Sequence, residues 1–189
     1  MSYELNTSDV DILRDAGVPE DDIGHCVRVA EKAREIAGRT GADVDMELIV
    51  RGALFHDLGK AETHEIEHGR IGAEIGARLG LPEVITGVME KHIRGGLTEE
   101  EAIELGLPVK DYSLGRLEER IIIYADRLVD IITEGIVDLD GDEKVAERQF
   151  AEILRSYPRY GKNEVTLERY LGYHGEIQGL MEQFEDKPV

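Results

Sequence analysis

The sequence predicts an all-α protein, and three observations carry that prediction. Apolar positions recur at helical spacing, as in Val29, Ala33 and Ile36, which share one stripe with His25. Helix start signals alternate along the chain with Gly and Pro stop signals. No segment has the alternation expected of a strand, and the β-branched run at 121–123 continues a helical pattern.

Local signals give the expected ends of the helices. Thr98 with Glu101, and Asp140 with Glu143, are candidate capping boxes. The predicted helices run, in order, from Thr7 or Ser8 to Gly17, from Pro19 to Gly41, from about Asp45 to Leu58, from Thr63 to Gly80, from Pro82 to Gly95, from Thr98 to Gly106, from about Leu114 to Thr133, from Asp140 to Pro158, and from about Val165 to Phe184.

Glycines are unusually frequent in two of these helices. Gly69, Gly72 and Gly76 fall in the helix that begins at Thr63. Each costs about 1 kcal/mol relative to alanine in a helix interior, so close approach to a neighbouring helix is the expected compensation. The glycines at 172, 175 and 179 are expected to interrupt the last helix.

Composition predicts a cytoplasmic protein. A chain of 189 residues, 41% hydrophobic and 33% charged, can bury a sizeable core in one domain with a small appendage. No apolar run reaches the length of a membrane span, and residues 1–10 lack the basic and apolar regions of a signal peptide. The single cysteine, Cys26, excludes an internal disulfide.

The chain is strongly acidic, with a formal net charge of −19. This charge argues against non-specific nucleic-acid binding, which needs a basic face, and it repels anionic substrates at long range. A phosphorylated substrate would therefore need local help from a metal ion and from Arg or Lys side chains. A solvated acidic surface that maintains solubility is the other interpretation of the charge.

The stretch Leu54–Lys60 reads L-F-H-D-L-G-K and places two polar side chains after an apolar helix. Gly59 suits a helix C-terminus in the left-handed conformation, so His56 and Asp57 are expected in the last helical turn, partly inside the core. A buried imidazole and carboxylate need partners, because an uncompensated buried charge is costly. A divalent metal ion compensates both groups at once.

Further candidate ligands recur along the chain. Taken singly, His25 could as well be a hydrogen-bonded core residue, and Asp126, in I-I-I-Y-A-D-R-L-V, a helix-surface residue beside Arg127. The ordered set is more specific than any of its members. In chain order the candidates are His25, His56, Asp57, His68, His92 and Asp126.

This ordered set resembles the HD-domain metal-dependent phosphohydrolase superfamily, and within it the members that hold two metals. The segments E-H-G-R-I-G-A, K-H-I-R-G-G and Y-A-D-R-L are similar to its local signatures, while T-H-E-I-E-H and E-A-I-E-L-G-L-P resemble small archaeal HD proteins. The resemblance covers about residues 20–135. It implies an HD-domain helical bundle over residues 1–140, with 141–189 as a C-terminal helical extension packed on it.

The resemblance also implies how the ligands divide. Neutral imidazoles and carboxylates suit Fe, Mn, Zn, Ni or Co, so the expected cofactor is one or two divalent transition-metal ions. Asp57 would bridge the two ions. The first ion would be held by His25, His56, Asp57 and Asp126, and the second by Asp57, His68 and His92.

Basic residues near these ligands are the expected substrate contacts. Lys60 follows Asp57 by three residues and is interpreted as catalytic and substrate-binding; the alternative is a solvated lysine at a helix end. Arg94 and Arg127 can grip a phosphate through the guanidinium fork or form surface ion pairs.

Three other features receive weaker interpretations. His64, one turn before His68, is expected on the same helix face, where it would support a ligand, touch substrate or shuttle a proton; a surface helix-start residue is the alternative. The basic segment 155–162 is interpreted as a plain loop rather than as the rim of a nucleotide pocket. His174 is given no role.

The leading functional hypothesis is a phosphohydrolase that cleaves a nucleotide or other phosphate ester with a metal-bound hydroxide, with Asp57 and Lys60 as catalytic residues. The alternatives are an HD-type di-iron oxygenase, which shares the ligand pattern, and a non-catalytic metal-containing sensor or binding module. The expected partner is a small phosphorylated, nucleotide-like substrate, and the sequence allows a homodimer.

Overall fold

A computed structural model describes residues 3–136 and 142–186, and no strand occurs in these residues. The all-α prediction is confirmed. Two short 3-10 helices, Leu58–Ala61 and Ile93–Gly95, accompany the α-helices. The α-helices are α1 (Thr7–Asp15), α2 (Glu20–Thr40), α3 (Met46–Phe55), α4 (His68–Arg78), α5 (Glu83–Lys91), α6 (Glu99–Glu104), α7 (Leu117–Thr133), α8 (Lys144–Ser156), α9 (Pro158–Gly161) and α10 (Glu164–Glu185).

The first two helices follow their local signals with one change. Asn6, not Thr7 or Ser8, caps α1, because its extended backbone lets the side-chain oxygen accept from the Ser8 amide at 3.1 Å. Helix α2 begins after Pro19 with three acidic residues in its first turn and ends at Gly41, whose φ of 60° is left-handed.

Helix α3 ends at Phe55, earlier than predicted, so His56 and Asp57 lie beyond it and Leu58–Ala61 forms a 3-10 helix. The expected left-handed conformation at Gly59 is wrong. A Cβ at Gly59 would lie only 1.9 Å from the carbonyl oxygen of His68. Gly59 is therefore required by the close contact between this turn and the start of α4.

Helix α4 begins at His68, not at Thr63. The Thr63 hydroxyl accepts from the Glu65 amide at 3.1 Å and so closes a local turn, which competes with helix formation. His64 lies in this turn. The expectation that His64 and His68 share a helix face is therefore wrong.

All three glycines of α4 lie where a neighbouring element approaches closely, as predicted, and Gly69 and Gly72 meet its backbone. A Cβ on Gly69 would come within 2.8 Å of the Met89 carbonyl oxygen, and one on Gly72 within 2.8 Å of the Gly59 amide nitrogen. The absence of a side chain on this face brings α4 against α5 and against the turn that follows α3, which sets the position of His68.

The middle of the chain also follows its signals. The Thr98–Glu101 capping box of α6 is confirmed. Helix α7 begins at Leu117, three residues after the predicted start, because the Arg116 amide donates to the Glu119 carboxylate at 3.0 Å and fixes the helix entry. The β-branched run 121–123 is helical and buried.

Helix α10 packs on α2 and α7, α8 packs on α7 and α10, and α9 packs on α8 and α10. The proposed cap residue Asp140, and the predicted domain boundary beside it, lie outside the described residues; Glu143 accepts a hydrogen bond from Lys32 at 2.6 Å. Helix α10 runs without interruption through its glycines at 172, 175 and 179, contrary to prediction. Burial of Tyr170, Ile177 and Met181 in the core holds it.

One continuous apolar core joins the two parts of the chain. Helices α2, α3 and α7 form its centre, and side chains of α8 and α10, such as Phe150 and Ile177, belong to the same buried cluster. The division into a domain of residues 1–140 and an extension of 141–189 stays a prediction. No described helix combines the length and the apolar character needed to cross a bilayer.

The Gly59 contact makes a stability prediction. Gly59→Ala should lower the free energy of unfolding by at least about 3 kcal/mol, the upper range for overpacking, because the new methyl group meets backbone on α4. Gly87→Ala is the matched control, since nothing lies within 4 Å of the added Cβ; it should raise stability by about 0.5–1 kcal/mol. Guanidinium denaturation of both variants measures the difference. Equal effects would contradict the steric role of Gly59.

Candidate metal centre

The predicted ligands converge on one cluster, although they come from separate parts of the chain. Each occupies the interior or the immediate end of a helix, where the backbone is held by the core. His25 lies within α2, His56 and Asp57 directly after α3, His68 at the first position of α4, His92 directly after α5, and Asp126 within α7.

Asp57 lies at the centre of the cluster and is 3% exposed. Its Oδ2 atom is 3.2 Å from Nε2 of His56 and 3.9 Å from Nε2 of His25. Its Oδ1 atom is 3.2 Å from Nε2 of His68 and 3.3 Å from Nε2 of His92. The two oxygens therefore face different imidazole pairs, which we call the His25–His56 pair and the His68–His92 pair.

Backbone carbonyl groups orient three of the four imidazoles. Each ring uses Nδ1 to reach the carbonyl oxygen three residues earlier. A carbonyl oxygen only accepts, so Nδ1 carries a hydrogen and Nε2 of the neutral ring presents a lone pair to the cluster. The bonds run from His56 to Ala53 at 2.7 Å, from His68 to Glu65 at 2.6 Å and from His92 to Met89 at 2.6 Å.

This orientation makes the His68–His92 pair electron-rich. The two Nε2 atoms are 2.9 Å apart, and Oδ1 of Asp57 lies within 3.3 Å of both. Two lone pairs and a carboxylate oxygen repel one another at such distances. A proton or a metal ion between them removes the repulsion.

The His25–His56 pair meets two carboxylates of α7. Oδ1 of Asp126 lies 2.9 Å from Nε2 of His25 and 3.5 Å from Nε2 of His56, so Asp126 faces the cluster. Asp130, which sequence reasoning did not single out, follows one helical turn later, and its Oδ1 is 3.9 Å from Nδ1 of His25. The i,i+4 spacing from Asp126 was the signal that could have identified it.

The electrostatics of the cluster show its need for positive charge. Burial would raise the pKa of Asp57, but the charge of His56 and the surrounding hydrogen bonds hold it well below its usual value. Burial would lower the pKa of His56, but Asp57 and Asp126 raise it well above its usual value. Burial raises the pKa of Asp130 to about 6, and the charge of Asp126 adds to this.

A cavity of about 290 Å³ opens beside the ligands. Four cationic side chains line it, which contrasts with the acidic character of the chain as a whole. They reach the cavity from the turn after α3, the turn after α5, α7, and the turn between α9 and α10. These residues are Lys60, Arg94, Arg127 and Lys162.

Lys60 is fixed beside the centre of the cluster. Its Nζ donates to Oδ2 of Asp57 at 2.7 Å and to Oδ1 of Asp22 at 3.1 Å. Burial alone would lower the pKa of Lys60, but these two carboxylates raise it, so the side chain remains charged. His64 reaches the same Asp22 at 3.0 Å, but its side chain is 61% exposed. A contact between His64 and substrate stays a prediction.

Arg127 is buried, which is unlike a surface ion-pair residue. It donates to the Tyr170 hydroxyl at 3.1 Å and to Asp130 at 3.2 Å. Arg94 lies at the edge of the cavity in the turn after α5. Sequence reasoning named both arginines, but it missed Tyr170 and interpreted the segment containing Lys162 as a plain loop.

The donor set fits divalent transition-metal ions. Within the described parts of the chain, three groups of donors have all their ligand atoms within 4.8 Å of one another, and none needs a thiolate. Imidazole nitrogens and carboxylate oxygens suit the borderline metals of the iron-to-zinc series. The groups are His25–His56–Asp57, Asp57–His68–His92 and His25–Asp126–Asp130.

Comparison with known sequences gives the family. A sequence model of the HD domain matches residues 22–131, more than half of the chain, and the chain belongs to the HD domain family. The expected membership of the HD-domain superfamily is therefore confirmed, and every predicted ligand lies within the matched residues.

Two relatives differ greatly in how much of them the chain covers. The uncharacterized protein MJ0778 of Methanocaldococcus jannaschii is 41% identical over 165 residues, 86% of this chain and 90% of the relative. The tRNA (cytidine(56)-2'-O)-methyltransferase of Thermoplasma volcanium is 39% identical over 119 residues, 63% of this chain. The chain spans only 35% of that methyltransferase, so the methyltransferase name describes a longer protein.

A solved structure has the same fold. The HD domain of the Listeria monocytogenes phosphodiesterase PgpH, in complex with cyclic-di-AMP, matches with a TM-score of 0.59 over 95% of this chain and 99% of that chain. Sequence identity is 15%, so the match concerns the fold. It extends over nearly the whole chain, beyond the residues that the family model covers.

The division of oxygens on Asp57 predicts how metal content responds to mutation. Asp57→Ala should lower the metal bound on both sides of the carboxylate, whereas His92→Ala should remove metal from the His68–His92 side only. His64→Ala is the matched histidine control and should keep the full content, because its ring contacts Asp22 instead. Metal analysis of anaerobically purified protein measures all three. Loss of all metal in His92→Ala would contradict two separable sites.

Proposed function

We propose that the protein is a metal-dependent phosphohydrolase that acts on a nucleotide or another phosphate ester. One observation carries the proposal: Asp57 directs one oxygen to each of two imidazole pairs, in a cavity lined by cations. The first feature suits two metal ions that share a carboxylate. The second suits an anionic substrate, which the net charge of −19 would otherwise repel.

The proposed ligand roles follow the geometry of the cluster. His25, His56 and Asp126 would hold one ion, His68 and His92 would hold the other, and Asp57 would supply an oxygen to each. When bound, two divalent ions of Fe, Mn, Zn, Ni or Co activate water for attack on phosphorus and neutralise charge on the phosphoryl group. Asp130 adds a further carboxyl group 3.9 Å from Nδ1 of His25, at the edge of this ligand set.

Lys60 is proposed as a catalytic residue because of its charge and its fixed position. It lies beside the Asp57 oxygen that faces the His25–His56 pair, and it lines the cavity. A fixed ammonium there stabilises negative charge that accumulates on the transferring phosphoryl oxygens. Asp22 is a second carboxylate that holds the ammonium, so Lys60 is positioned before substrate arrives.

Arg94 and Arg127 are proposed to bind the substrate. Arg127 is held by Asp130 and Tyr170, so its guanidinium is oriented before substrate arrives. The complex of the Listeria HD domain with cyclic-di-AMP supports a nucleotide-like substrate through shared fold. No role in non-specific nucleic-acid binding is proposed, because the chain carries a net charge of −19.

The di-iron oxygenase remains the second candidate, since the same six side chains suit two iron ions. The four cations around the cavity favour the hydrolase, because an uncharged polyol gains little from them. The presence of every predicted ligand, with Lys60 beside them, favours an enzyme over a sensor that only binds metal.

Lys60 provides the test of the proposed chemistry. Lys60→Ala should lower kcat/KM for a phosphate ester by roughly 10²-fold, the order found when one stabilising donor is removed. Metal content should not change, because the ammonium is not a ligand. Lys60→Arg should rescue only part of the activity, since the larger fork does not occupy the same point. Lys144→Ala removes an exposed lysine of α8 and serves as the control.

The same measurements made without dioxygen separate the two candidates. A screen of phosphomonoesters, cyclic nucleotides and dinucleoside polyphosphates should show turnover under anaerobic conditions. Oxygen-dependent turnover of an unphosphorylated polyol, with no hydrolysis of any phosphate ester, would overturn the hydrolase proposal.

A further inference from the structure

Two non-glycine residues in the described parts of the chain have positive φ, and both line the cavity. Arg94 has φ 50° and ψ 26°, and Lys162 has φ 61° and ψ −78°. Residues other than glycine rarely adopt such backbone conformations. These conformations persist only where surrounding contacts enforce them. Two separate turns therefore each hold a cationic residue in a constrained conformation, and both residues line the same cavity.

Contacts from the C-terminal helices enforce the turn at Arg94. Arg169 of α10 donates to the Arg94 carbonyl oxygen at 3.1 Å, and the Tyr173 hydroxyl of the same helix donates to the Gly95 carbonyl oxygen at 2.8 Å. The turn at Lys162 closes on α9, where its amide donates to the Pro158 carbonyl oxygen at 2.6 Å. Helices α9 and α10 therefore set the positions of both cations.

The cations at this edge of the cavity repel one another. The positive charges of Arg127 and Arg94 add to the effect of burial in lowering the pKa of Lys162. Among the described residues, neither Arg94 nor Lys162 has a carboxylate within ion-pair distance, and the buried Nε of Arg127 has no hydrogen-bond acceptor. Lys60, in contrast, is neutralised by Asp22 and Asp57. An anion beside Arg94, Arg127 and Lys162 would relieve the repulsion.

We propose that Arg94, Arg127 and Lys162 form a second anion subsite, which binds a phosphate group of the substrate other than the one that is hydrolysed. This inference rests on the proposed function and specifies its substrate class: nucleotides with at least two phosphate groups. Hydrolysis forms a bond from the water oxygen to the phosphorus beside Asp57, breaks the bond to the leaving oxygen and transfers a proton to that oxygen. The second phosphate takes no part in bond changes and fixes the substrate in the cavity.

Binding of inorganic pyrophosphate and orthophosphate to the metal-loaded protein tests the subsite. Lys162→Gly removes the cation, and glycine adopts the positive φ without strain, so the charge is lost without a cost in stability. Pyrophosphate affinity should fall about 10-fold while orthophosphate affinity falls less, and the melting temperature should not decrease. Lys162→Arg should retain most of the pyrophosphate affinity. Arg155→Gln removes an exposed cation of α8 and is the charge-matched control; it should bind both anions like the unchanged protein.

Calorimetry gives the affinities for pyrophosphate and orthophosphate. Hydrolysis of adenosine 3',5'-bisphosphate and of AMP by the same proteins then separates the anion subsite from the proposed phosphohydrolase activity. Weaker pyrophosphate binding in Lys162→Gly, in a protein that hydrolyses neither nucleotide, would uphold the subsite and contradict the phosphohydrolase. Unchanged pyrophosphate binding, or an equal loss for both anions, would overturn the subsite even in an active hydrolase. A loss of the same size in Arg155→Gln would show general charge attraction and would also overturn it.

Discussion

The position of the Asp57 carboxylate constrains the rest of the structure. Helix α3 ends two residues before it, and Asp57 itself has φ −101° and ψ 17°, in the sparsely populated bridge between helix and strand conformations. That conformation turns the chain into Leu58–Ala61, where Gly59 contacts the start of α4. The same turn thus aims one Asp57 oxygen at the His25–His56 pair and brings His68 against the other.

Burial of this cluster has an electrostatic consequence. Carboxylates and imidazole lone pairs removed from water lose hydration, and the protein itself supplies few positive charges to replace it. The Lys60 ammonium supplies one such charge, because it donates to the same Asp57 oxygen that lies 3.2 Å from Nε2 of His56. A divalent ion provides twice the charge of a lysine ammonium and occupies less space between the ligands. The affinity for metal and the stability of this end of the bundle are therefore linked properties.

Local sequence signals predicted the helices well, because caps, glycine stops and apolar spacing act over a few residues. They failed where a tertiary contact decides the backbone. Gly59 was correctly recognised as special, but its reason is the His68 carbonyl oxygen and not a left-handed cap. At the site, the i,i+4 spacing from Asp126 could have identified Asp130. No local spacing connects Lys162 with the other residues of the cavity. Only the packing of α10 against the core brings the turn that contains Lys162 to the cavity.

The two parts of the chain differ in what they contribute to the cavity. The family match at residues 22–131 contains every predicted metal ligand, together with Lys60 and Arg127. Lys162 lies outside that match, as do Arg169 and Tyr173, which hold the turn at Arg94. On the proposals made above, the matched residues supply the chemistry, and α9 and α10 decide which phosphorylated compounds fit. Substrate selectivity could then change through the C-terminal helices while the ligand geometry around Asp57 stays the same.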